Sequence, residues 1–269
     1  MNTFLNDDQI RAKAPSVFAT HAAENVSEKY AYLPTYQAVR DMRHMGLEVV
    51  SVREGYKRSP EGRNFAIHEL RMRRPNDVSV GRELGDLFPE VILRNSHDRT
   101  SGFDLNAGIY RLVCKNGMTV ADHGFNVKLR HVGKHQVDKL YAGVAQIIES
   151  LPRAIEVAAS WQKIGLASEQ IQRFADRAAE IRGSSIMLDP GQILRPRRWD
   201  DQGTNLWSVF NRVQENFTRG GMTGRSATNQ RRSVQGIRTL SADVDFNKKL
   251  WTAASELAAE VNGISVSFA

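Results

Sequence analysis

The stretch NSHDRTSGFDLNAGIYRLVCKNG, residues 95–117, contains the strongest short-range fold signal in the chain. Asn116 and Gly117 stand between two apolar segments, and an Asn-Gly pair in that setting favours a type I′ β-hairpin turn. The segments on either side, residues 101–114 and 118–132, both have the composition of β-strands. The sequence therefore predicts two neighbouring antiparallel strands, preceded by NSHDRTSG as a polar loop in which Asp98 makes turn hydrogen bonds.

Further strands are predicted upstream of this stretch. LEVVSVREGY, residues 47–56, and NFAIHELRMRRP, residues 64–75, read as a hairpin, and EVILRNS, residues 90–96, reads as another strand. A short helix capped by Thr35 and ended by Gly46 precedes them. We therefore expect a helix followed by an antiparallel meander over residues 47–131, with residues 1–34 as a partly flexible arm that docks through Tyr30, Tyr32 and Leu33.

The second half of the chain changes to helical periodicity. Apolar stripes predict five helices in this half, at residues 137–151, 152–165, 168–183, 204–221 and 243–263. Pro152 is expected as a boundary, Ser168 as an N-cap, and residues 222–240 as a mobile basic loop. The predicted fold class is α+β, with an antiparallel meander preceded by a helix and packed against a helical C-terminal half. The expected divisions are 1–34, 35–134 and 135–269, the last two forming one compact unit.

Composition places the chain among folded proteins. It has 269 residues, of which 41% are hydrophobic, and it contains no apolar run long enough to span a membrane. The single cysteine, Cys114, excludes an internal disulfide, and Asp7 and Asp8 stand where a signal peptide would be apolar. We therefore expect a cytoplasmic protein. Phosphate-binding loops, dinucleotide fingerprints and nucleophile elbows are absent, so no cofactor is predicted.

Positive charge is concentrated in one part of the sequence. The chain carries a net charge of +7, and residues 192–238 contain nine arginines, no lysine and three acidic residues. Guanidinium groups bind phosphate in bidentate fashion and stack on bases. Trp199 follows Arg197 and Arg198 in a predicted loop, where an exposed aromatic residue is suited to stacking on the bases of a single strand. Trp207 and Phe210 are expected in the core. The predicted nucleic-acid contacts are Arg195, Arg197, Arg198, Trp199, Arg225, Arg231 and Arg232.

A second basic set lies in the predicted first hairpin. Arg71 and Arg73 share a strand face with Glu69, so part of this charge is expected to be paired internally.

Three motifs resemble one family. NSHDRTSGF, GIYRLVCKNG and LWSVFNRVQENFTRGG, with NKKLW downstream, are similar in order to domain of unknown function 932, found in phage- and plasmid-borne proteins. The resemblance runs from about Tyr36 to Trp251. It implies a mobile-element context but no assigned activity. The family's usual glycine after NSHD is replaced by Arg99 in this chain.

The histidine-rich positions allow a second interpretation. His97 and Asp98, joined by His123 and Asp122 or by His68 and Glu69, could form a metal or acid–base site, although their spacing is not that of a known ligand set. His131 and His135 lack a third ligand, and Cys114 is expected as buried filler.

The expected function is binding of nucleic acid, in particular single-stranded DNA, during transfer, replication or recombination of a plasmid or prophage. Two alternatives stay open: a metal-dependent nuclease that uses His97, Asp98 and His123, and a protein that binds and modulates a host factor. A homo-oligomer is compatible with the sequence.

Overall fold

A computed structural model describes residues 4–24, 26, 32–77, 79, 81, 84–112, 116–121, 126–129 and 136–263. The helices of the described part are α1 (Asp7–Lys13), α2 (Thr35–His44), α3 (Pro60–Arg63), α4 (Gln136–Gln162), α5 (Ser168–Arg182), α6 (Pro190–Ile193), α7 (Leu206–Arg219) and α8 (Leu240–Val261). The strands are β1 (Glu48–Glu54), β2 (His68–Arg73), β3 (Leu87–Asn95), β4 (Phe103–Arg111), β5 (Asn116–Thr119), β6 (Asn126–Leu129), β7 (Met187–Leu188), β8 (Gly220–Arg225) and β9 (Arg231–Gln235). The predicted α+β class is confirmed.

Strands β1 to β5 follow one another in a meander, and β6 also pairs with β4. The predicted first hairpin is confirmed, since Glu54 lies opposite His68 and Glu48 opposite Arg73 in the antiparallel pair β1–β2. The predicted turn at Asn116 and Gly117 is wrong. Both residues belong to β5, which is a neighbour of β4 in the sheet.

The two faces of strand β2 differ in chemistry. Leu70 and Met72 on one face are buried apolar residues, whereas Glu69, Arg71 and Arg73 on the other are buried and charged. Arg71 bonds both Glu69 and Glu90, at 3.3 and 2.9 Å. The prediction that part of this basic set is paired internally is therefore confirmed.

The segment predicted as an N-terminal arm contains regular structure. Asn6 and Gln9 form a capping box at the start of α1, and a short 3₁₀ helix follows at Pro15–Phe18. The backbone N–H of Leu5 donates to the carbonyl of Val49 in β1. Tyr32 and Leu33 are among the predicted docking residues: Leu33 is buried, and the Tyr32 hydroxyl donates to the Ala19 carbonyl. Tyr30 lies outside the described residues.

Contacts group the chain into two compact units built from interleaved segments. Unit 1 comprises residues 1–78, 88–109 and 122–152, and unit 2 comprises residues 79–87, 110–121 and 153–269. The expected divisions at residues 34 and 134 stay predictions. Each unit has its own core, and both cores include residues from distant parts of the sequence.

Four aromatic residues form the centre of unit 2. Trp161, Trp207, Phe210 and Trp251 are buried, and the rings of Trp161 and Trp251 lie 4.4 Å apart between centroids. Trp207 and Phe210 are core residues, as predicted. Their positions three apart on α7 place both rings on one helix face, which fixes that helix against α8.

Thr35, expected as the cap of the first helix, is the first residue of α2, and Pro34 takes the N-cap position.

Two helix boundaries predicted in the second half of the chain are also wrong. Pro152 lies inside α4, which runs without interruption across the two stretches expected as separate helices. Ser168 is the first residue of α5, and Ala167 takes the N-cap position. The cap of α5 is formed instead by the side chain of Gln170, which accepts from the backbone N–H of Ala167.

Residues 222–240 also differ from the predicted mobile loop. Most of them form the antiparallel hairpin β8–β9, which with β7 makes a three-stranded sheet in unit 2, and the segment ends at the start of α8. Gly220 permits this arrangement, because its φ is +71° and a Cβ there would lie 2.2 Å from the backbone nitrogen of Gly236. The strands were not predicted because this arginine-rich segment shows no alternation of apolar and polar residues.

No helix in the described part of the chain combines the length and apolar character that a membrane crossing requires.

Candidate nucleic-acid interface

A cleft lined by arginines lies in unit 2, where the segment after α6 meets the end of α7 and the start of β8. Its volume is about 560 Å³. The side chains that we call the arginine cleft are Arg195, Arg197, Arg198, Arg219, Glu215 and Asn216. The chain is held here by Asn216, whose side-chain amide donates to the backbone carbonyls of Ile193 and Arg195 at 2.8 and 2.9 Å.

Arg197 is fixed by neutral partners. Its Nε donates to the Asn216 side-chain oxygen at 2.6 Å, and its Nη2 donates to the Gly220 carbonyl. These bonds orient the guanidinium without cancelling its charge. Arg197 nevertheless stays exposed to solvent, so that its remaining N–H groups can receive an anion.

Arg198 and Arg219 share one carboxylate. Glu215 is only 2% exposed and lies 2.8 Å from Nη2 of Arg198 and 2.9 Å from Nε of Arg219. A buried carboxylate with two cationic partners is well compensated, and it holds both arginines at the cleft. Four arginines and one glutamate leave the cleft residues with a net of three positive charges. Such a site favours phosphate groups.

Trp199 directly follows the cleft residue Arg198 in the chain and belongs to a short helix. It begins a short 3₁₀ helix, Trp199–Asp201, and 82% of its surface is exposed. The helix is anchored by Asp201, which is buried and lies 2.9 Å from Nη1 of Arg111. Arg111 in turn donates from Nε to the Leu84 carbonyl at 2.8 Å. Burial raises the pKa of Asp201 and outweighs the opposing effect of Arg111. The exposed indole therefore belongs to a short helix whose last residue is buried and bonded to Arg111.

The remaining predicted contacts lie on the β8–β9 hairpin. Arg225 is directly opposite Arg231, and Arg232 is opposite Gly224. All three arginines are exposed. Arg225 donates to the backbone and side-chain oxygens of Asn229 at 3.2 and 3.1 Å, which closes the turn. Like charges placed opposite each other across two strands destabilise a hairpin, and a bound anion would remove that cost.

The structure places His97 and Asp98 in unit 1, whereas the arginines of this set belong to unit 2. His97 is buried, with its ring centroid 5.3 Å from that of His68. Thr35 lies between them, its hydroxyl 2.8 Å from Nε2 of His68 and 3.3 Å from Nε2 of His97. Asn95 donates to the same hydroxyl at 2.9 Å. Burial lowers the pKa of His68 to about 3, and the neighbouring His97 acts in the same direction.

Asp98 makes the turn contacts that the sequence predicts. Its Oδ1 accepts from the backbone N–H of Thr100 at 3.0 Å, and its Oδ2 lies 2.7 Å from Nζ of Lys57. Burial favours a higher pKa for Asp98, but the hydrogen bonds from Lys57 and Thr100 outweigh it and hold the pKa below its usual range. Arg99 has a φ of +67°, a conformation that glycine adopts at least cost. The geometry is that of a capped turn.

The other positions named in that second interpretation, apart from Glu69, lie outside the described residues. These are Cys114, Asp122, His123, His131 and His135. Among the residues that the structure does describe, no group of three or more His, Cys, Asp and Glu side chains could hold a metal ion.

The seven predicted contacts thus fall into two groups of unit 2. Arg195, Arg197 and Arg198 line the cleft, with Trp199 next to them in the chain, and the other three lie on the hairpin.

Three functional candidates were missed: Glu215, Asn216 and Arg219. All three occur in the QENFTRGG end of a helix whose apolar stripe marked it as core. Only their position in the helix could have indicated them. Polar residues opposite the apolar stripe of a helix are placed to line a cleft that adjoins the end of that helix.

The chain was compared with known proteins. A family model described as Domain of unknown function (DUF932) matches residues 22–251. Two Escherichia coli (strain K12) proteins, UPF0380 protein YfjQ and UPF0380 protein YafZ, are each 31% identical to it over 255 residues. These matches cover 94% of this chain and 91% of each relative. No solved structure matches the chain significantly. Because the family model spans most of the sequence and both relatives are covered nearly end to end, the chain belongs to the DUF932 family.

Proposed function

We propose that this protein binds single-stranded nucleic acid, in particular single-stranded DNA during transfer, replication or recombination of a plasmid or prophage. The observation that carries the proposal is the arginine cleft with the exposed Trp199 beside it in the chain. Several phosphate-binding guanidiniums next to an aromatic platform match the usual physical basis of strand binding, in which phosphates pair with cations and bases stack.

The structure supports a mode of binding that depends on phosphate and stacking together. Arg197 and Arg195 supply charge that no carboxylate of the cleft neutralises, whereas Arg198 and Arg219 are held by Glu215. Stacking on Trp199 requires an unpaired base. We therefore expect single strands to bind more tightly than duplexes of the same length.

Tryptophan fluorescence offers a direct assay. Trp199 is exposed, whereas Trp161, Trp207 and Trp251 are buried. Quenching by an oligonucleotide would thus arise from Trp199, and Trp199→Ala should abolish the quenching and cost about 1 to 3 kcal/mol of binding free energy. In wild-type protein, log affinity should fall with log salt by roughly 0.7 per phosphate contact.

Arg195→Gln is the cleanest cleft variant. The Arg195 side chain is exposed, and its known structural bond uses only the backbone carbonyl. Reversing Arg198 instead would place a second carboxylate beside buried Glu215 and disturb folding. Arg177→Gln, on α5 of the same unit, is the matched control for loss of one charge. The proposal fails if affinity for single strands stays weaker than about 10 μM at low salt, or if Arg195→Gln and the control behave alike.

If this protein captures a host protein and shows no salt-sensitive binding to single strands, the alternative of a protein that binds and modulates a host factor is favoured. The nuclease alternative gains no geometric support from His97, which is buried, or from Asp98, which is bound by Lys57 and Thr100.

A further inference from the structure

The three-stranded sheet of unit 2 places an exposed methionine in line with two arginines. Met187 of β7 is paired with Arg225 of β8, and Arg225 is paired with Arg231 of β9. Residues directly opposite each other in neighbouring strands project on the same face of a sheet. Met187 is 69% exposed although it is apolar. We call these three side chains the hairpin row.

Strand β8 connects the hairpin row to the arginine cleft. Gly221 and Met222, at the start of β8, line the cleft, and Arg225 is the last residue of the strand. Arg225 lies three residue steps along the strand from Met222, a distance of about 10 Å at the usual rise of a strand. That distance exceeds the spacing of neighbouring phosphates along a strand, so the two sites cannot both be served by a single phosphate group.

We propose that β8 is the floor of a continuous track for a polyanion, with the arginine cleft as its first contact and the hairpin row as its second. The inference rests on the proposed function and names the ligand more closely: a strand of several nucleotides, bound at phosphates that are not neighbours. Arg225 and Arg231 contact the second phosphate. Met187 contacts the sugar or base beside it, because a flexible, polarizable thioether suits such a surface.

The composition of the hairpin row separates this ligand from a small anion. An inorganic phosphate or a mononucleotide can occupy only the cleft, and it makes no contact with the exposed methionine at the far end of β8. A strand gains from the row by relieving the repulsion between its facing arginines and by covering Met187. Binding should therefore become tighter with strand length until both contacts are reached.

The test compares oligothymidylates from two to about sixteen nucleotides on wild-type protein and on Arg225→Gln/Arg231→Gln. Glutamine at both positions removes a like-charge pair but also the bonds from Arg225 to Asn229, so unchanged binding of the shortest strands serves as the check that the cleft beside the hairpin is intact. On long strands the slope of log affinity against log salt should become shallower by about 1.4, or roughly 0.7 for each lost contact. On the shortest strands, which reach only the cleft, the variant should match wild type.

Two further variants make the test specific. Arg173→Gln/Arg177→Gln removes the same charge from α5 of the same unit and should leave the slope on long strands unchanged. Met187→Ser should weaken binding of long strands without changing the slope, because an apolar contact releases no counterions.

The outcomes distinguish this inference from the function on which it rests. If wild-type protein binds strands but the hairpin double variant keeps its slope at every length, the track does not exist and the proposed function stands. The track is likewise overturned if the α5 control loses as much slope as the hairpin variant. If wild-type protein binds no strand even at low salt, the proposed function itself is overturned.

Discussion

Acidification should destabilise unit 1 through His68. This side chain is enclosed by Ser16, Thr35 and His97, and burial lowers its pKa to about 3 from an ordinary value of 6.5. A histidine with a depressed pKa in the folded state is held neutral by folding. Its contribution is therefore fully present above pH 6.5 and is lost as the pH falls from 6.5 towards 3.

The magnitude follows from the size of this depression. Each pKa unit corresponds to about 1.4 kcal/mol, so the whole window is worth about 5 kcal/mol, and at about pH 5 the loss is about 2 kcal/mol. Urea unfolding followed by far-UV circular dichroism, at about pH 7.5 and about pH 5, measures this difference. All four tryptophans lie in unit 2, so their fluorescence gives a separate record of that unit.

The variant that isolates the cause is His68→Gln. It should lower stability at neutral pH, since the bond to Thr35 is lost or lengthened, but it should remove most of the pH dependence between about pH 7.5 and about pH 5. His44→Gln, which removes an exposed histidine of α2, is the control and should keep the wild-type dependence. Equal stability of wild-type protein at the two pH values, or an unchanged dependence in His68→Gln, would refute the reasoning.

Two backbone predictions concern residues with positive φ. Arg99→Gly should raise the free energy of unfolding by about 0.5 to 1 kcal/mol in urea titrations, because glycine adopts the φ of +67° without strain; a lower value would contradict this. Gly220→Ala should disrupt the β8–β9 hairpin, seen as faster amide exchange over residues 220–235, because its Cβ would meet the backbone of Gly236. Gly46→Ala has a similar φ of +83° but nothing within 4 Å, so it should cost only local strain, and equal losses would show that the clash is irrelevant.

Local signals predicted most of the strands and helices because their periodicity reflects which face is buried. The β1–β2 hairpin and the α7 core face were predicted in this way. Pro152 misled because a proline inside a long helix is tolerated when burial of the helix's apolar face, which includes Leu151 and Ala154 beside it, outweighs one lost hydrogen bond. The hairpin β8–β9 was missed because four of the five residues of β9 are exposed, so that no alternation of apolar and polar residues marks the strand.

The candidate site shows what the sequence can and cannot predict about function. Counting nine arginines between residues 192 and 238 correctly indicates a basic surface, but the count gives each arginine equal weight. In the folded chain Arg198 and Arg219 are held by Glu215, whereas Arg197 is oriented by an amide and a carbonyl that leave its charge intact. That distinction depends on a glutamate 17 positions from Arg198, buried by the packing of α7. Net charge therefore locates the surface, while the partners of each guanidinium decide which arginines are available to bind phosphate.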